Sequence, residues 1–191
     1  MRHNALSSLL SAGSFVLLFA ACDAPARVAE PSRLAASGSR ALADVKPAHP
    51  IELLDQCDPA TFNAAVGPGT CMSGHPGIKF DRFINQLITT QDAPAWRNAP
   101  NNFTAALGTQ LVAINRGGEV HTFTRVAAFG GGVVPVLNQI LGLTPRPECL
   151  DAPPDEFLLP GGTDAEAVTT PGTALYQCCI HPWMRTTITV H

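Results

Sequence analysis

The residues of this chain best suited to chemistry lie near its C-terminus, in Tyr176-Gln177-Cys178-Cys179-Ile180-His181-Pro182-Trp183-Met184-Arg185. Cys178, His181 and Met184 are spaced C-x2-H-x2-M between two β-rich segments. A thiolate and a thioether are soft donors that favour copper, and imidazole binds it well. Two histidines and one cysteine in a trigonal set, with a long axial methionine, make an electron-transfer copper site. One turn can present three of those four donors. The fourth must come from a rigid neighbouring strand. His121 qualifies, because it opens the alternating segment His121-Thr122-Phe123-Thr124-Arg125-Val126-Ala127 just past a Gly117-Gly118 turn.

The other cysteines support this choice. The chain has six. With Cys22 and Cys178 set aside, Cys57, Cys71, Cys149 and Cys179 form an even set, which leaves Cys178 as the thiol free for metal. Four cysteines permit three pairings, and sequence does not choose among them. The favoured one joins Cys57 to Cys71 and Cys149 to Cys179. The first closes a short, turn-rich loop at little entropic cost. For the second, neighbouring residues of a strand face opposite sides, so Cys178 turned to the metal turns Cys179 away from it, toward a covering loop.

These pieces resemble the type 1 copper loops of the cupredoxins, with the short loop spacing of amicyanin- and plastocyanin-like members. In that family an Asn and the first histidine ligand are separated by five residues, as in Asn115-Arg116-Gly117-Gly118-Glu119-Val120-His121. The resemblance covers roughly residues 100–128 and 170–191. It implies His121 as first histidine ligand, Cys178 as thiolate, His181 as second histidine and Met184 as axial donor to one copper ion. It also implies an all-β, Greek-key β-sandwich, here with one N-terminal helix and a long inserted loop. One departure is Cys179, which stands where the family often has Thr or Ser to bridge the two copper loops. Another is the long stretch between His121 and Cys178.

The elements that must position these residues can be read from spacing and turn residues. Seventeen Pro and sixteen Gly suit short strands joined by turns better than a helical bundle. Phe80, Phe83, Ile84, Leu87 and Ile88 repeat at i, i+3, i+4, i+7, i+8 and predict an amphipathic helix over 79–90. Residues 95–106 are expected to give one edge strand around Pro100, residues 110–115 a buried strand, and 121–127 an alternating one. Residues 130–165, rich in Gly and Pro, read as a loop with one short helix at about 136–141. Strands at 173–178 and 186–190 flank the C-x2-H-x2-M loop. Trp183 is expected to anchor that loop over the site.

The remaining histidines offer less. His75 lies near Cys71 and Met72 but has no further ligand beside it. His49 and His191 are expected in solvent. The run Gly130-Gly131-Gly132 lacks the following Lys-Ser/Thr of a phosphate cradle.

The N-terminus speaks to compartment. Arg2 and His3 precede an apolar stretch from Leu9 to Ala21, too short to span a bilayer and suited to a signal peptide. Residues 1–21 are therefore expected to be a leader. Leu18-Phe19-Ala20-Ala21-Cys22 resembles the lipobox of bacterial lipoproteins, which makes Cys22 the expected lipid anchor and the membrane's only contact. Residues 22–50 read as a flexible tether, Ala/Ser/Arg/Pro-rich without periodicity. Residues 51–191 read as the copper-binding domain, exported to the periplasm or envelope surface, where disulfides persist.

Composition narrows the function further. The formal charge is −3 for the full chain. Without 1–21, which hold only Arg2 as a Lys/Arg/Asp/Glu charge, 11 positive against 15 negative residues leave −4. No basic stripe invites nucleic acid. No Ser-His-Asp set or carboxylate pair suggests an enzyme, and four protein donors leave a metal no open position for substrate. The expected function is one-electron transfer with a redox partner protein in the envelope. The alternative is copper storage, delivery or sensing.

Overall fold

The computed structural model describes residues 48–191. The leader at 1–21, Cys22 and most of the tether lie outside the described residues. Strand β1 (Ala48–Leu54) begins three residues before Ile51, and His49 within it stacks on Phe103 with ring centroids 3.8 Å apart. His49 is thus half-buried in a strand, where the tether reading placed it in solvent.

Eight strands form two mixed four-stranded sheets. In the first, β1 pairs in parallel with β4 (Gln110–Asn115) and antiparallel with β2 (Arg97–Ala99), and β6 (Thr163–Ala167) adds antiparallel to β4. The second runs β3 (Asn102–Ala105), β8 (Arg185–Val190), β7 (Gly172–Gln177), β5 (Thr124–Val126), with β3 parallel to β8 and the other pairs antiparallel. Alternation sorts the side chains. Ile51, Leu53, Leu111 and Ala113 of one sheet and Ala174, Tyr176, Ile188 and Val190 of the other belong to one buried core. Two mixed sheets of this kind suit a cupredoxin-like β-sandwich.

Helices are more numerous than the two expected, the N-terminal one at 79–90 and the short one at about 136–141. Among the described residues there are α1 (Pro59–Ala65), α2 (Phe80–Thr90), α3 (Pro135–Leu141) and α4 (Pro147–Leu150). The turn-rich loop expected between Cys57 and Cys71 holds α1, started by Asp58-Pro59: the Asp58 carboxylate accepts from Thr61 N at 2.9 Å, and Pro59 occupies the first turn. The stripe on α2 buries Phe83 and Leu87, at roughly 1.5–3 kcal/mol each. Lys79 caps nothing, but Thr61 Oγ1 accepts from Phe80 N at 3.1 Å and so ties α1 to α2. Phe62, Phe80, Phe83 and Trp96 then pack as one aromatic group.

The stretch 130–165 is not a plain loop. It carries α3, α4, a 3-10 turn at Pro154–Glu156 and the start of β6. The expected edge strand at 95–106 divides at Pro100 into β2 and β3, one in each sheet. Pairing of the expected strand at 121–127 is confined to Thr124–Val126, because His121 bridges instead to Leu158 in the inserted stretch.

Candidate metal centre

The first histidine is placed by the turn that follows β4. Asn115, fully buried, donates through Nδ2 to Glu119 O at 2.7 Å and to Leu158 O at 2.8 Å, while its Oδ1 accepts from Gly117 N at 2.9 Å. One side chain thereby curls the turn and docks it on the inserted stretch. Gly117 and Gly118 serve close approach: a Cβ on Gly117 would collide with the Asp55 carboxylate, and one on Gly118 with Cys57 Sγ. His121 N then donates to Leu158 O at 3.1 Å, and Leu158 N to His121 O at 2.8 Å.

The other donors ride on the hairpin between β7 and β8. Cys178 N donates to Met184 O at 3.0 Å and Met184 N to His181 O at 2.9 Å, closing the loop on itself. Cys178, the one free cysteine among the described residues, is wholly buried. Its Sγ lies 3.8 Å from His121 Nδ1 and 3.8 Å from His181 Nδ1, and accepts the amides of Thr122 and His181 at 3.4 Å each. Ligand atoms of His121, Cys178 and His181 all fall within 4.8 Å of one another. Met184 is 1% exposed and joins the same core. Trp183 packs edge-on to His181 at 5.4 Å, and its buried Nε1 has no partner among the described residues.

The spans fit a metal ion. Metal–sulfur and metal–nitrogen lengths of about 2.3 and 2.0 Å, opened to about 120°, place S and N about 3.7 Å apart. Both Sγ–Nδ1 distances are 3.8 Å. A second group of potential donors, Asp55, Cys57 and Glu119, is not a separate ligand set, because Cys57 is held in a disulfide.

Four residues that spacing did not single out complete the surroundings. His121 Nε2 meets Asp55 Oδ2 at 2.8 Å, with neither side chain exposed to solvent. His181 Nε2 faces Glu119 Oε2 at 3.5 Å, and that oxygen also accepts from Trp96 Nε1. Thr122 Oγ1 accepts from Cys179 N at 2.7 Å. Thr122 thus supplies, from the opposite loop, the bridge that Cys179 cannot make. Only Glu119 left a sequence trace, as a charged residue between Asn115 and His121.

The electrostatics follow from this packing. Burial pushes the Cys178 thiol up, but hydrogen bonds from His121 and His181 outweigh it and hold the thiol well below its ordinary range. Burial pulls His181 down, and Cys178 and Glu119 overcome it, raising the ring to about 10. His121 is raised in the same way by Asp55 and Cys178 against its burial. Asp55 is pushed up by burial yet brought to about 2 by His121 and by the amides of Glu119 and Cys57. The cavity therefore stabilises a thiolate beside positive charge, and a bound cation would release the ring protons.

Both disulfides pair as favoured by sequence, Cys57 with Cys71 and Cys149 with Cys179. The second fastens α4 to the residue after the thiolate. Val133 N also donates to Cys179 O at 2.7 Å, and a Cβ at Gly132 would strike that carbonyl. His75 and His191 are exposed and join no metal-ligating group among the described residues.

No protein-family model matches the chain, and no curated protein matches it. The solved structures it resembles include cupredoxins. A purple cupredoxin from Nitrosopumilus maritimus shares 18% identity over 74% of this chain and 98% of that one, with a TM-score of 0.38. Plastocyanin from Dryopteris crassirhizoma shares 15% over 75% and 100%, with a TM-score of 0.38. A Cu(I) amicyanin mutant shares 19% over 50% and 73%, with a TM-score of 0.33.

Proposed function

We propose that this chain is a copper-binding protein of the cell envelope that carries one electron through a single type 1 site. The observation behind this reading is the convergence of His121 Nδ1, Cys178 Sγ and His181 Nδ1 in a buried pocket around the free thiol. Met184, buried on the same closed loop, would supply the fourth donor. Copper bound there supplies reversible passage between its +1 and +2 states. The chain's own work is to hold the donors still. Two amides fix the thiolate, Asn115 and Leu158 fix the His121 turn, and Ile180, Pro182 and Trp183 restrict water.

The same reading makes residues 1–21 the export signal, Cys22 the lipid anchor and an envelope protein the redox partner. Electron carriage is preferred to copper storage, delivery or sensing because both imidazoles are buried and fastened at their far nitrogens. Exchange with a redox dye faster than loss of copper to a chelator separates the two. The test of the site is a visible spectrum. Copper-loaded, oxidised protein should show an intense thiolate-to-copper band that Cys178→Ser abolishes in a folded protein. A band that survives the substitution refutes the assignment.

A further inference from the structure

Each imidazole that faces Cys178 through Nδ1 presents its Nε2 to a carboxylate. On one side stand His121 and Asp55, 2.8 Å apart and without solvent exposure. Asp55 is itself fixed, its Oδ1 accepting from Cys57 N at 3.1 Å and its Oδ2 from Glu119 N at 2.9 Å. On the other side stand His181 and Glu119, at 3.5 Å, with side chains 4% and 8% exposed. The Glu119 oxygen involved also accepts the Trp96 indole N–H.

A carboxylate accepts hydrogen bonds and donates none, so when a cation displaces the inner ring protons both rings keep a proton on Nε2 and offer the Nδ1 lone pair inward. A neutral amide oxygen at either place would orient the ring as well. What the carboxylates add is charge. With the Cys178 thiolate they place three negative charges in a dry site. A doubly charged cation leaves one of these uncompensated, and a singly charged cation leaves two. Uncompensated charge away from water is costly. Carboxylates on the far nitrogens also make imidazoles stronger donors.

We propose that Asp55 and Glu119 are positioning residues that act through His121 and His181 to bias the site toward the oxidised ion, and that Trp96 moderates the Glu119 half of this bias. The inference rests on the copper reading of the site. Its consequence is a carrier with a lower potential than two histidines, a cysteine and a methionine would give without the carboxylates, suited to giving electrons up.

Voltammetry of the full-length, copper-loaded protein tests it, with Asp55→Asn, Glu119→Gln and Trp96→Phe, and with the visible band recorded for each. Losing such a partner costs about tenfold or more in metal affinity, and where that loss falls on Cu(II), Asp55→Asn and Glu119→Gln should each raise the ratio of Cu(I) to Cu(II) affinity about tenfold. Tenfold is about 59 mV upward for a one-electron couple. Trp96→Phe removes a donor that disperses the Glu119 charge and should move the potential down. A merely structural role would not give opposite signs. Unchanged potentials in the two amide variants, with the band intact, overturn the inference alone, as does an upward shift in Trp96→Phe. If one amide variant fails to fold, the other and Trp96→Phe decide. A wild-type protein without the band overturns the copper reading, and this inference with it.

Discussion

Removing the Cys149–Cys179 disulfide should cost stability without removing the copper site. The bond closes 30 residues of sequence. Loop-closure entropy of 2.1 + 1.5R ln n then comes to about 12 cal/mol/K, or about 3.6 kcal/mol at 25 °C. Stability for a domain is typically about 5–15 kcal/mol, so this is a large share. The Cys57–Cys71 bond, with a separation of 14, should contribute about 3.0 kcal/mol by the same relation. The copper loop keeps its other ties when the disulfide goes. Cys178 N still donates to Met184 O, Cys179 N to Thr122 Oγ1 and Val133 N to Cys179 O. The assay is guanidinium unfolding of Cys149→Ala/Cys179→Ala and Cys57→Ala/Cys71→Ala against wild type, followed by far-UV circular dichroism on metal-free protein, so that ligand binding adds nothing. Both doubles should lose more than about 2 kcal/mol, and copper added to the first should still give the thiolate band. A loss below about 1 kcal/mol for Cys149→Ala/Cys179→Ala would refute the reasoning, by showing the stretch from α4 to the copper loop pinned without the bond.

Three further changes probe separate links. Thr122→Val leaves the buried Cys179 amide without an acceptor and should cost about 1–3 kcal/mol, measured by the same unfolding, and a cost near zero removes Thr122 from its bridging role. Met184→Leu should retain copper and raise the reduction potential, because an axial donor is gone, and a lower potential in voltammetry would mean Met184 is not axial. Asp58 is lowered by its hydrogen bonds with Thr61, so its contribution is present above the ordinary carboxylate range and lost as pH falls through its lowered value. Asp58→Asn keeps a capping oxygen that does not titrate, and should flatten that acid-side decline in thermal melts taken from neutral pH downward.

What could be read from the sequence was what depends on near neighbours. Gln110–Asn115 is expected as a strand and is one, because a short continuous apolar run between glycines has few other fates. Cys178 and His181 are three residues apart on a hairpin, and a hairpin fixes such distances locally. Elements whose signals were ambiguous were lost. Asp58-Pro59 serves a turn or a helix start equally well, so α1 was read as a turn. Strand β6, Thr163-Asp164-Ala165-Glu166-Ala167, is an edge strand of half-buried and exposed residues with no apolar alternation to mark it. Pro100 looked like an interruption within one strand, and it stands where the chain passes from one sheet to the other. Asp55 and His121 are 66 residues apart, joined only by the packing of the β1 end on the β4 turn, and no spacing rule reaches that far.

The parts beyond a bare sandwich decide how the metal site meets its surroundings. His181 is 3% exposed, although a hairpin tip would ordinarily lie in solvent. Beside it, Phe80, Phe83 and Ile84 of α2 and Leu137 of α3 line an apolar depression that also reaches Glu119 and His181. Trp183 closes another side, 5.4 Å from His181 and 5.8 Å from Phe83. Each cover has its own anchor: α2 is tied away from the site through Thr61 of α1, and the inserted stretch is tied to the site's own loops through the Cys149–Cys179 bond and the Leu158–His121 bridge. The donors are thus held from three directions by elements with separate anchors. If the centre carries an electron as proposed, its change of charge would meet a scaffold with little freedom to rearrange, which is the condition for rapid one-electron exchange. The same covers narrow access to His181, so on the proposed reading an electron passing by that residue would cross the aromatic and aliphatic side chains of α2 and Trp183 first.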